Sequence, residues 1–325
     1  MRTEAGAAGV RRNLWLATTT SLLALASGAA DAQTQWDTTF EKVERGEWHG
    51  PRLPDGQPDI QGHWSNTIAN QNNFTDPQGG IPGDPTGVAG GSAADIGREA
   101  AAPPRSARAP SRVSDPPDGQ LPFRPWARAK QQELLANFFE PTRPEYIEPL
   151  ARCAPAGPTK SLYWHGYEIR QFPGYVLFIF DSGSRLIHLD DKPHLPEQIK
   201  LWNADSRGYW EGNTLVVDVT NNNAKARLAR TGEFTSPNVR IVEHYIFDND
   251  GQHYTYEAVY DDPATFTRPW TVTIPARRVT LDTESSWHNS TEPATLPSGE
   301  VVQESVERVC VENNEGHGEV ALPSK

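Results

Sequence analysis

The chain has little of several things that would place it quickly. Only two of its 325 residues are cysteine, Cys153 and Cys310, and only one is methionine. Two cysteines so far apart do not make a zinc knuckle, and no Cys-x-x-Cys-His haem attachment occurs. Lys and Arg number 30 against 42 Asp and Glu, for a net charge of −12. That shortage of cations disfavours nucleic acid and anionic membrane surfaces as partners, since both are recognised by clustered Lys and Arg. Long apolar runs are missing too: mean hydropathy is −0.63, which excludes a polytopic membrane protein. Gly-x-Ser-x-Gly, a P-loop and His-Glu-x-x-His are all absent, so serine hydrolases, NTPases and zincins lack their signatures.

What is present begins with an export signal. Arg2, Arg11 and Arg12 form a positive n-region, residues 14–30 are mostly apolar, and Ala30-Asp31-Ala32 has the small-x-small form of a cleavage site. Residues 1–32 therefore read as a signal peptide cleaved near Ala32/Gln33, and the mature protein is expected in the periplasm or outside the cell. Arg11-Arg12 leaves both the general and the twin-arginine route open. An even cysteine count in an oxidising compartment predicts a Cys153–Cys310 disulfide, with two buried free thiols as the alternative.

Composition divides the mature chain. Residues 33–70 scatter Trp36, Trp48 and Trp64 among polar residues. Residues 71–120 are dominated by Gly, Pro, Ala, Ser and Asp. They are predicted to be a long irregular or disordered insertion, because so few aliphatic side chains cannot offset the entropy of ordering. The β-rich domain is expected over 121–325, with one helix near 125–139. Pro125 suits its first position, Pro141 ends it, and Trp126, Leu134, Leu135 and Phe138 are predicted to share the docking face.

From about residue 160 the period becomes two. Strands are predicted at 167–172, 175–180, 185–190, 198–204, 213–220, 239–247, 253–260, 271–275 and 301–311. Many are separated by turn sequences such as Phe-Pro-Gly (172–174), Glu-Gly-Asn (211–213) and Asp-Asn-Asp-Gly (248–251). Strands without alternating helices exclude a Rossmann-type fold. The expected class is mainly β: an antiparallel calycin- or lipocalin-like barrel or sandwich with one docked helix.

The stretch 185–223 resembles an uncharacterised family of exported bacterial proteins. Its motif reads Arg-x-Ile-x-x-Asp-x-x-x-His, then Ser-x-Gly-x-Trp-Glu-Gly-Asp-Thr-Leu-Val-Val-Asp. The matching positions are Arg185, Ile187, Asp190, His194, Ser206, Gly208, Trp210, Glu211, Gly212, Thr214 to Val217 and Asp218, with Asn213 in place of the usual Asp. The opening 54–64, the segment 153–160, the stretch 262–270 and Glu307-x-x-Cys310-x-Glu312 are similar to its other blocks. The resemblance implies export and is compatible with the disulfide, since its cysteine blocks coincide with both cysteines. It implies no particular activity.

Candidate chemistry lies in three places. His188, Asp190 and His194 have ligand types and spacing that suit a divalent ion, although a turn cap at Asp190 and a local hydrogen bond at His194 are the favoured reading, and no metal or cofactor is assigned. Glu243 alternates with Ile241, Tyr245 and Phe247. On an internal face it would be a general acid or base, or the structural partner of Arg185, and pairing is favoured. Asp218 faces away from apolar Leu215, Val217 and Val219. The expected function is binding of a small apolar or aromatic molecule, with Arg185, His188, Trp202, Trp210, Asp218, Tyr256 and Trp270 as candidate contacts. The alternatives are a cofactor-independent lyase, hydratase or isomerase using Glu243, His194 and Asp190, and a structural or envelope-interaction protein tethered by 71–120.

Overall fold

The computed structural model describes residues 42–66, 73, 75–77, 79–83, 108–163, 166–180, 183–278 and 291–305. The expected signal peptide, most of 71–107 and Cys310 lie outside the described residues. One α-helix is described, α1 (Pro125–Ala136), with Pro125 in its first turn.

Nine strands close a barrel. They are β1 (Gly62–Asn66), β3 (Tyr167–Phe172), β4 (Tyr175–Phe180), β5 (Gly183–His188), β6 (Asp205–Glu211), β7 (Thr214–Thr220), β8 (Arg240–Phe247), β9 (His253–Asp261) and β10 (Trp270–Arg278). Each pairs with the next, and β10 returns to β1 through Trp64↔Arg278, Ser65↔Arg277 and Asn66↔Ala276. The other end of β10 carries an outside strand, β2 (Val113–Asp115), in the register Val272↔Val113. Closure removes the exposed edges that an open sheet of this size would present. Strands β11 (Thr291–Thr295) and β12 (Val301–Ser305) pair with each other as a separate hairpin.

Every step is antiparallel except one. Strands β5 and β6 run parallel and meet at a single pair, His188↔Arg207, because residues 189–204 cross over instead of turning back. Residues 198–204, predicted as a strand, are therefore irregular. Leu201 bridges only to Asn222, and Ile199 and Leu201 stay exposed. The end of the Gly/Pro-rich stretch is also ordered: 108–120 supplies β2 and buries Ala109 and Val113.

Alternation sends one side of each strand inward. Trp64, Phe178, Phe247, Tyr254 and Trp270 join the long aliphatic side chains of β7 and β10 in one core. Burying an aromatic or a large aliphatic side chain contributes roughly 1.5–3 kcal/mol, so these inward positions drive closure. The helix docks through Ala127, Gln131 and Leu134, with Phe138 just beyond its end. Trp126, expected on that face, is 53% exposed instead. The buried stripe runs Ala127, Gln131, Leu134, Phe138, and one residue of rotation, about 100°, carries Trp126 off it.

Candidate functional site

The lumen is built around a buried ion pair. Arg185 on β5 and Glu243 on β8 are 3% and 0% exposed. They form a two-pronged contact, Nη1 to Oε1 at 3.0 Å and Nη2 to Oε2 at 2.6 Å. Ser206 on β6 accepts from Nε and Nη2 at 3.1 and 2.8 Å, and Tyr245 accepts from Nη1 at 3.1 Å. Tyr256 donates to Glu243 Oε1 at 2.7 Å and reaches Thr159 on its other side. Gly208 makes room for the guanidinium's neighbours: a Cβ there would sit 2.9 Å from Ile187. Burial disfavours the charged guanidinium, but Glu243 and the surrounding tyrosines reverse this and raise its pKa. Burial likewise raises the Tyr245 and Tyr256 hydroxyls. Trp270 stacks on Tyr260 at 4.3 Å. The space around the ion pair is thus filled by side chains.

Outside the barrel wall, the crossover 189–204 lays His194 against β6 and β7. Its Nδ1 lies 2.7 Å from Asp205 Oδ2, which also accepts from the Leu195 amide at 3.0 Å. Its Nε2 lies 3.5 Å from Asp218 Oδ2. Asp218 is gripped in turn by Arg240 at 2.7 and 3.0 Å. Burial pushes the Asp205 carboxyl up, yet the Leu195 amide, His194 and Arg207 outweigh it and hold the pKa below its ordinary value. A shallow depression of about 470 Å³ opens beside His194, Lys200, Asn221 and Arg240. Imidazole anchored by a buried carboxylate is an acid–base geometry, but here the second ring nitrogen also faces a carboxylate.

The acid–base candidates are not gathered into one site. Glu243 faces the lumen, whereas Asp190 lies outside, bonded to Arg207 at 2.7 Å and Lys192 at 3.0 Å. His188 packs edge-on against Tyr175 at 5.2 Å. Hence His188, Asp190 and His194 do not converge on a common ion. Among the described residues, the one group able to share an ion is Asp248, Asp250 and His253 in the β8–β9 turn. There Asp248 accepts from the Gln252 and His253 amides, which is ordinary turn capping.

The predicted ligand contacts also disperse. Arg185, Tyr256 and Trp270 are in the packed lumen. Trp210 is half-buried against Phe247, and Asp218 is tied to Arg240. Only Trp202 lines a cleft of about 800 Å³ between α1, the turns of 144–152 and residues 224–227. Its apolar wall comes from Trp126, Leu134, Ile147, Trp202 and Phe234. Trp126 is held in place by its Nε1, which donates to the Ala264 carbonyl at 3.1 Å, and by Phe234 at 5.8 Å between rings.

Behind this cleft lie buried charges that the sequence reading did not single out. Lys160 and Glu148 form an ion pair, 1% and 3% exposed. Burial raises the Glu148 carboxyl, but Lys160, with Arg230 and Arg227 nearby, reverses this and lowers its pKa. Arg227 anchors the wall by donating from Nη2 to the carbonyls of Glu145 and Tyr146 at 2.9 and 3.1 Å. The available sequence sign was the basic run Lys225, Arg227, Arg230 in an acidic chain. Comparison with family models, curated proteins and solved structures finds no match.

Proposed function

We propose that this chain is an exported β-barrel protein that binds a small, largely apolar or aromatic molecule, and that it does so in the outer cleft, not in the lumen. The observation that carries this reading is the cleft with Trp126 and Trp202 on its walls. Its volume of about 800 Å³ lies within the range of small-molecule sites, and the Trp126 indole, fixed at its edge and 53% exposed, gives it an apolar wall. The filled lumen supports the choice by leaving the Arg185–Glu243 region no room for a guest. The catalytic alternative loses its basis in geometry, since Glu243, Asp190 and His194 each hold a separate partner. Export, a periplasmic or secreted location and kinship with the exported family belong to the same proposal and rest on residues 1–32 and 185–223.

The test is a titration with the neutral fluorophore N-phenyl-1-naphthylamine, followed by probe emission and tryptophan quenching. Saturable binding is expected, weakened at least tenfold by Trp126→Ala with an unchanged melting temperature. Binding that ignores Trp126→Ala would move the site elsewhere, and an absence of binding would remove the reading.

A further inference from the structure

The cleft has an imbalance of charge that its apolar walls do not explain. Lys130, Arg152, Lys225 and Arg227 line it, against Glu133 and Glu145. Both acids already have cations: Glu133 contacts Lys130 and Arg143, and Glu145 contacts Arg143, all at 3.2 Å. Arg152 spends a guanidinium N–H on the Pro144 carbonyl at 3.0 Å. Among the described residues, Arg152, Lys225 and Arg227 form no ion pair.

Arg227 is the sharpest case. It is 6% exposed, its Nη2 is satisfied by two carbonyls, and its Nη1 is buried with no hydrogen-bond partner. Glu148 lies within its field, but that carboxylate is bonded to Lys160. An orphaned buried donor is destabilising, and more so when the group is charged. A ligand that supplied the missing acceptor would offset that cost. Arg227 also borders a second, small cavity of about 10 Å³, at the lower edge of what one water needs.

We propose that the ligand of this cleft is an amphipathic organic anion: a flat apolar or aromatic body carrying one carboxylate or sulfonate group. The anionic group sits at the exposed Arg152 guanidinium, with the buried charge of Arg227 behind it. The ring system lies against Trp126, Trp202 and Phe234. This rests on the binding reading above and adds to it the charge of the guest. An acidic protein would otherwise repel such a molecule, so the local excess of cations is what makes capture selective.

The experiment compares two probes with nearly the same rings, 8-anilinonaphthalene-1-sulfonate and neutral N-phenyl-1-naphthylamine, on the full mature protein. The sulfonate is expected to bind at least tenfold more tightly, with an advantage that shrinks as salt is raised. Arg152→Gln, at an exposed side chain, should remove most of that advantage while leaving the neutral probe unchanged. Arg227→Gln, which removes the charge behind it, should reduce the advantage as well, and Arg152→Gln keeps the test decisive if Arg227→Gln does not fold. Equal affinity for the two probes overturns the anion inference and leaves the binding reading standing. A sulfonate advantage that survives Arg152→Gln or ignores Trp126→Ala also overturns it, because the anion would then sit elsewhere. Failure of both probes to bind overturns inference and reading together.

Discussion

Taking Arg185 and Glu243 out of water costs several kcal/mol for each ion, and their two-pronged contact, with Ser206, Tyr245 and Tyr256 around it, offsets that cost. The arrangement therefore tolerates loss of the whole pair better than loss of one member. Glu243→Gln leaves a buried guanidinium without its counter-charge and is expected to lower stability by about 3–5 kcal/mol. The double change Arg185→Met with Glu243→Leu should recover part of that loss. Urea denaturation of the two variants checks both statements, and a Glu243→Gln protein as stable as wild type would refute them. This pair was legible in the sequence because strand alternation puts Arg185 with Ile187 and Glu243 with Ile241 and Tyr245 on inward faces. The bond from His194 to Asp205 was not legible. It depends on the path of the 189–204 crossover, and an irregular connection has no period to read.

The elements show where alternation succeeds and where it fails. Strands β3, β4, β7, β8 and β9 were all visible because their inward positions are mostly apolar or aromatic, with Gln171 and Glu243 as exceptions. Strand β6 shows no apolar alternation because its inward positions include Ser206, kept polar to accept from Arg185, and Gly208, kept small against Ile187. The reverse error fell on 198–204, where Ile199 and Leu201 alternate but point to solvent. The turn joining β6 to β7 has a second task. Gly212 has φ +58°, and a Cβ there would collide with the Gly46 carbonyl, so the N-terminal strap 42–50 crosses directly over the turn. Asn213 fastens the strap: its Oδ1 accepts from the Gly46 amide at 2.9 Å, and its Nδ2 donates to the carbonyls of Glu44 and Phe247 at 3.0 and 2.8 Å. An aspartate in its place cannot make the last two bonds. Gly212→Ala should lift the strap and cost about 1–3 kcal/mol from the left-handed backbone alone. Trypsin would then cut at Lys42 and Arg45 well before the barrel unfolds, and an unchanged digestion rate would show that the strap is not held there.

At the scale of the molecule, the barrel closes through β1 and β10, leaving the cleft to be shaped by less regular chain. One wall is the run of short turns from Pro144 to Cys153. Cys153 ends it at φ +61°, with its amide on the Leu150 carbonyl at 3.2 Å. Arg152, assigned to the anion, is its immediate neighbour. A bond from Cys153 to Cys310, the pairing that export would favour, would tie residues around position 310 to the cleft wall. It would also remove up to about 4–5 kcal/mol of loop entropy from the unfolded state. The mature protein is accordingly expected to show no titratable thiol in denaturant, and reduction should lower its denaturation midpoint. If the staple also fixes the wall, reduction under native conditions should weaken the sulfonate probe more than the neutral one, because Arg152 contacts only the charged end. Two free thiols in the oxidised mature chain would refute the bond, whereas a disulfide whose reduction leaves both probes unaffected would confine it to stability.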